Sequence, residues 1–226
     1  MTNLKIDLVS DVVCPWCPIG FRRLQQALDQ LAGQVKAKIE WHAFVLNPDI
    51  EPDGRPIVEH LMEKYGRSAE EIRANQQMIV DAAQALDLDF SHATERRSWN
   101  TFDVHRVLAW AKSQGCDEAF HLALFDAYFG RAANPTDPAL LKEIAASLGL
   151  DATEVDAILD SDRYAEHVQA ELDYYRQAGV ASVPSFIVDG RYLLSGAQDP
   201  QALAGALRQI ADERASMDER RPAASA

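Results

Sequence analysis

Cysteine is scarce in this chain of 226 residues: Cys14, Cys17 and Cys116 are the only three. Three is too few, and an odd number, for a small disulfide-stapled scaffold. Glycine (11) and proline (10) stay at ordinary globular levels, which excludes collagen-like and low-complexity classes. Positive charge is short as well, with 22 Lys+Arg against 35 Asp+Glu and a formal net charge of -13. Such a surface repels phosphate backbones and anionic membranes, so no nucleic-acid or membrane partner is expected. No apolar run approaches the ~18 residues of a membrane span. The opening MTNLKIDLVSD carries no basic n-region, apolar h-region or small-residue cleavage site, and the expected address is cytoplasmic.

Hydrophobic spacing divides the chain. Leu4, Ile6, Leu8 and Val9 sit in a β-prone stretch. CPWCPIGFRRLQQALDQLAG follows with Phe21, Leu24, Leu28 and Leu31 at helical spacing and Gly33 at its end. Val35, Ala37, Ile39, Trp41 and Ala43 alternate as a second strand, ended by Asn47-Pro48. From Ile57 to Ala178 the pattern is helical, with expected helices at 57–65, 68–87, 101–114, 116–130, 138–148, 153–159 and 162–178 and no strand signal between them. Asp137-Pro138 and Asp199-Pro200 read as an N-cap followed by proline at the first helical position. Ser185–Val188, an Asp189-Gly190 turn and Arg191–Ser195 make a hairpin, followed by a helix at 200–215. The expected fold class is α/β: a βαβ…ββα sheet from 1–54 and 179–216, an all-α insertion over 55–178 acting as a lid, and a flexible tail at 217–226.

The chemistry concentrates at Cys14-Pro15-Trp16-Cys17, where the first strand meets the first helix. Positions i and i+3 of a helical turn share a side, so the two sulfurs can reach bonding distance. A helix N-terminus favours a thiolate at Cys14, the attacking species in disulfide exchange. Cys14 is expected to be exposed and nucleophilic, and Cys17, one turn deeper, to resolve the mixed disulfide. Pro15 removes one backbone N–H and Trp16 offers an aromatic edge to substrate, unless the pair is simply a helix-start proline and a packed ring. A zinc site is disfavoured because structural zinc needs four ligands and no second pair exists, nor do the six histidines cluster or show H-x-x-x-H spacing. Val183-Pro184, ahead of the late hairpin, reads either as an ordinary trans proline or as a cis proline that exposes the Val183 backbone to an extended substrate.

CPWC after a strand, a long helical insertion, GVASVPSFIV and SGAQ, in that order, resemble the DsbA-type branch of the thioredoxin superfamily. Within it the FrnE-like group of cytoplasmic oxidoreductases is similar, including a stretch like RSWNTFDVHRVLAWA, which ends here at Ala111. The resemblance spans about residues 4 to 212. It implies a thioredoxin-like sheet, a helical lid, and dithiol–disulfide exchange at Cys14 and Cys17 beside cis-Pro184. It also implies a disulfide- or thiol-bearing protein or small thiol as partner, with no resident cofactor and glutathione as a possible co-substrate.

By the same resemblance, the helix carrying His105 lines the groove opposite the cysteines, which makes His105 a substrate-binding candidate. Read as a residue alone, His105 is a buried, satisfied histidine. Glutathione-dependent isomerases and kappa-class transferases of similar layout carry serine where Cys14 stands, and this chain keeps both sulfurs. A glutathione-dependent isomerase of a small aromatic substrate remains the second reading, and a chaperone-like binding module the third. Asp11 is a loop or capping residue, or a tuner of the thiol. Cys116 reads as a bland thiol, and Trp41, Phe44, Trp99 and Trp110 as core or interface aromatics.

Overall fold

The computed structural model describes residues 1–220, with side chains described through residue 216. Four strands form the main sheet: β1 (Thr2–Ser10), β2 (Val35–Ala43), β5 (Ser185–Val188) and β6 (Tyr192–Ser195), in the order β2-β1-β5-β6. β1 pairs parallel with β2 and antiparallel with β5, and β5 pairs antiparallel with β6. The crossover between the parallel strands is α1 (Trp16–Gln30). β1 is central: Asn3 and Lys5 are exposed on either side of buried Leu4, and from Ile6 to Ser10 every residue is buried. α1 buries Ile19, Phe21, Leu24 and Ala27. The closing helix α9 (Pro200–Arg220) packs against α1 and β1 through Leu203, Leu207 and Ile210. Its extent differs from the expected 200–215 and takes in the first four residues of the expected tail; 221–226 lie outside the described residues.

Between the two halves of the sheet lie α2 (Ile57–Tyr65), α3 (Ala69–Gln84), α4 (Phe102–Ser113), α5 (Asp117–Phe125), α6 (Pro138–Ser147), α7 (Thr153–Leu159) and α8 (Ala165–Gln177). Local chemistry sets their ends. Ser68 and Glu71 form a reciprocal capping box at the start of α3. Asp137 accepts the Ala139 N–H ahead of Pro138, and Asp199 accepts the Gln201 N–H ahead of α9, as the Asp-Pro pairs predict.

Two features differ from the helical expectation. Arg55–Pro56 (β3) and Arg97–Ser98 (β4) pair antiparallel, a ladder too short to leave any alternation in the sequence. The expected helix 116–130 stops at Phe125 and continues as a π-helical turn, Asp126–Gly130. That turn buries Tyr128 and Phe129, and the Tyr128 hydroxyl donates to the Arg97 carbonyl at 2.7 Å.

Glu171 of α8 fastens the helical block to the sheet. One of its oxygens is 2.6 Å from His42 Nδ1, and the other accepts the Ala43 N–H at 2.8 Å. His42 Nε2 lies 2.9 Å from Asp7. Deeper in, His121 stacks on Trp41 with centroids 4.4 Å apart, and burial pushes its pKa down to about 3.

An unfolded histidine titrates near 6.5. Between that value and about 3 the unfolded chain therefore holds a proton that folded His121 refuses, and stability falls as pH drops. One such proton gives a slope of up to about 1.4 kcal/mol per pH unit. The urea midpoint should drop between pH 7 and pH 5 and drop less in His121→Phe; an equal slope in both proteins rules out His121 as the source.

Candidate active site

The register Val9↔Ser185 places the end of β1 beside the start of β5, so the loops carrying the cysteines and Val183-Pro184 emerge from the same end of the sheet. Ser10, Asp11, Val12 and Val13 are all buried, and the Cys14 N–H donates to the Asp11 carbonyl at 3.0 Å. Cys14 precedes the helix, Pro15 is its N-cap, and the Cys17 N–H donates to the Cys14 carbonyl at 3.2 Å in the first turn. The Val183–Pro184 peptide is cis. Across the gap the Cys14 S–H donates to the Val183 carbonyl at 3.4 Å.

Both cysteines are free thiols. Cys14 is 4% exposed, which corrects the expectation of an exposed thiol: its S–H is engaged by the Val183 carbonyl, and the residue lines a cavity. Cys17 is fully buried, 0% exposed, within hydrogen-bond reach of Cys14. Burial first, and then the neighbouring Cys14, hold the Cys17 thiol well above its ordinary pKa, while the Ser10 side chain pulls the other way. Cys14 lines the cavity, whereas Cys17 is sealed behind it and its thiol is hard to ionise.

Asp11 caps no helix by its side chain. Its carboxylate accepts the Val13 N–H at 3.3 Å and the Leu46 N–H at 2.7 Å, tying the cysteine loop to the segment after β2. His105 Nε2 lies 2.9 Å from the Phe44 carbonyl and 3.7 Å from Asp11, and the residue is 3% exposed. Its ring is engaged by the frame and does not line the cavity, so His105 is not brought to the substrate side. Trp41, Trp99 and Trp110 are buried and Phe44 is half-buried, while Cys116 is a partly exposed thiol 3.7 Å from the Gln114 carbonyl.

The cavity measures about 640 Å³, within the ~300–1,000 Å³ of small-molecule sites. Pro15, Trp16 and Val183 line it with Cys14, and Trp16 is 36% exposed. The opposite wall comes from α2, α3 and the segment 96–98. Arg96 and Gln76, two of its polar members, gave no sign in the sequence, because an Arg-Arg pair in a polar stretch reads as solvated surface. Gly20 was also missed. A Cβ at Gly20 would stand 2.7 Å from Pro184 Cγ and 3.3 Å from Ala197 Cβ, so the bare backbone lets the proline loop lie on α1.

Two thiols at a helix start thus face a cis-proline loop at one end of a thioredoxin-like sheet. The chain belongs to the DSBA-like thioredoxin domain family, whose model matches residues 5–208. It is similar to a probable DsbA oxidoreductase from Streptomyces coelicolor, at 32% identity and a TM-score of 0.87, covering 99% of this chain and 94% of that one. A 2-hydroxychromene-2-carboxylate isomerase (18% identity, TM-score 0.67; 94% and 98% covered) shares the fold. So does the cytosolic disulfide reductase DsbM from Pseudomonas aeruginosa (17%, 0.62; 91% and 98%). The chain is thus an enzyme of the DsbA-like oxidoreductase class, and no helix among the described residues is long and apolar enough to cross a membrane.

Gly20→Ala tests the approach of α1 to the proline loop. Alanine gains up to about 1 kcal/mol of helix propensity. Pressing a methyl onto a proline ring costs about 1–3 kcal/mol. The clash should win, lowering Tm by a few degrees (about 2–4 °C per kcal/mol at this size) and slowing disulfide reduction. A rise in Tm with full activity contradicts the contact.

Proposed function

We propose that the protein catalyses thiol–disulfide exchange through Cys14 and Cys17. The observation that carries the reading is the pairing of a cavity-facing Cys14 with a fully buried Cys17 one turn behind it. The Cys14 thiolate attacks one sulfur of a substrate disulfide, whose S–S bond breaks and releases one thiolate. The attacked sulfur stays bonded to Cys14, with its attached chain laid along the Val183 backbone, and its former partner is the thiolate that leaves. Cys17 loses its proton and attacks the Cys14 sulfur, and the second substrate thiolate leaves. Two electrons pass to the substrate, and a Cys14–Cys17 disulfide remains. Run backwards, the same steps oxidise a substrate dithiol.

Burial of Cys17 delays its ionisation until Cys14 is engaged, which favours attack first and resolution second. With two of three cysteines in one motif, a reducing compartment such as the cytoplasm suits the chain. The retained sulfur at Cys14 favours dithiol redox chemistry over glutathione-assisted isomerisation. Pro15 and Trp16, between the sulfurs, and Val183, opposite them, shape the substrate path.

Insulin-disulfide reduction tests the reading. Cys14→Ser should lower turnover to the uncatalysed rate. Cys17→Ser should stop multiple turnover and leave a mixed disulfide on Cys14, detectable by non-reducing mass analysis. Turnover that survives Cys14→Ser removes the proposal. Steady isomerisation of a small substrate by Cys17→Ser favours the glutathione-dependent alternative.

A further inference from the structure

Acids outnumber bases in the chain by 35 to 22, yet among the described residues no aspartate or glutamate lines the cavity at Cys14. Its lining includes Lys64, Arg96 and Arg176. Arg176 is already paired with Asp173 at 3.0 Å, on the outside. Lys64, an exposed member of the lining, is held among the described residues by neutral oxygens, the Leu46 carbonyl at 3.2 Å and Asn47 at 3.0 Å.

Arg96 is the unusual member. It is 2% exposed, its Nη1 donates to the Ala93 carbonyl, and its guanidinium lies over the Tyr128 and Phe129 rings at 5.8 and 5.3 Å. Its Nε is buried without a partner. Burial raises the Tyr128 hydroxyl to about 12, so that ring supplies no negative charge near neutral pH. The comparison with Arg106 is direct. Arg106 is 5% exposed but has Asp103 at 2.7 Å and the carbonyls of Ile158, Ser161 and Arg163. A buried cation with neither a carboxylate nor a full set of acceptors is costly unless an anion reaches it. Gln76, 5% exposed and also lining the cavity, has no side-chain hydrogen bond to the described residues and offers a neutral donor.

We propose that the cavity selects disulfides that carry a carboxylate, with Arg96 binding the carboxylate at the wall, the exposed Lys64 drawing it in, and the scissile sulfur at Cys14. The inference rests on the exchange reading above and adds the substrate's charge. The chemistry is unchanged: the protein dithiol supplies the two electrons, and the anionic disulfide leaves as two thiolates. Arg96 and Lys64 are specificity-determining residues in this scheme.

Three aliphatic disulfides of similar size separate the charge effect from the chemistry: dithiodipropionate (anionic), hydroxyethyl disulfide (neutral) and cystamine (cationic). Pre-reduced protein is mixed with each in a single turnover. Each rate is divided by that of free dithiothreitol with the same disulfide, which cancels intrinsic reactivity. The normalised anionic-to-neutral ratio in the wild type should be about tenfold or more, the scale of a charge-assisted hydrogen bond. Arg96→Met should bring it towards unity, Arg96→Lys should retain part of it, and Lys64→Met should lower it by a smaller factor. Equal normalised rates in the wild type, or preference for the neutral or cationic disulfide, overturn the inference and leave the exchange reading intact. Oxidation of the protein by none of the three sinks both. Should Arg96→Met fail to fold, Lys64→Met and the wild-type salt dependence decide. The ratio must then fall in Lys64→Met and between low salt and about 0.5 M, and a ratio unmoved by both overturns the inference.

Discussion

The site depends on β1 standing between β2 and β5. Because β5 runs against β1, the strand that delivers the cysteines and the strand that follows Val183-Pro184 meet at one end of the sheet. The 3.4 Å contact between Cys14 and the Val183 carbonyl follows from that pairing. Asp11 holds the cysteine loop to Leu46, and the bare backbone of Gly20 lets Pro184 settle on α1. The thiols thus take their position from backbone register and main-chain hydrogen bonds more than from side-chain packing.

The helical insertion completes what the sheet begins. It supplies the cavity wall facing Cys14, and the π-helical turn after α5 presents the rings against which Arg96 lies. The sign of the charge is uneven along the cavity. The acidic excess stays off the lining, while a guanidinium is retained there in the company of aromatic faces. Stacking on rings compensates a cation less fully than a carboxylate does, which leaves that wall electropositive.

Much of this was legible beforehand because the signals are local. CPWC at a strand-to-helix junction, the Asp-Gly hairpin and the two Asp-Pro caps each depend on a few adjacent residues, and each is found where the sequence places it. What was not legible depends on tertiary contact. A two-residue ladder has no periodicity to detect, and a π turn preserves the apolar texture of the α-helix it extends. Cys14 loses its exposure to a loop 169 residues away. His105 is claimed by Phe44 across 61 residues, and Arg96 is buried by rings that follow it by more than thirty positions. Charged residue types default to the surface, and only coordinates reveal which one is kept inside.

The clasp of Glu171 on His42 and Ala43 has a bearing on colloidal behaviour. β2 is nine residues long and outermost in its sheet, the sort of border on which a second chain can stack. Glu171 takes up the outward Ala43 N–H at one end, and Lys36 and Lys38 stud the strand farther back. Loosening α8 would free that border and leave it open to pairing with a second chain.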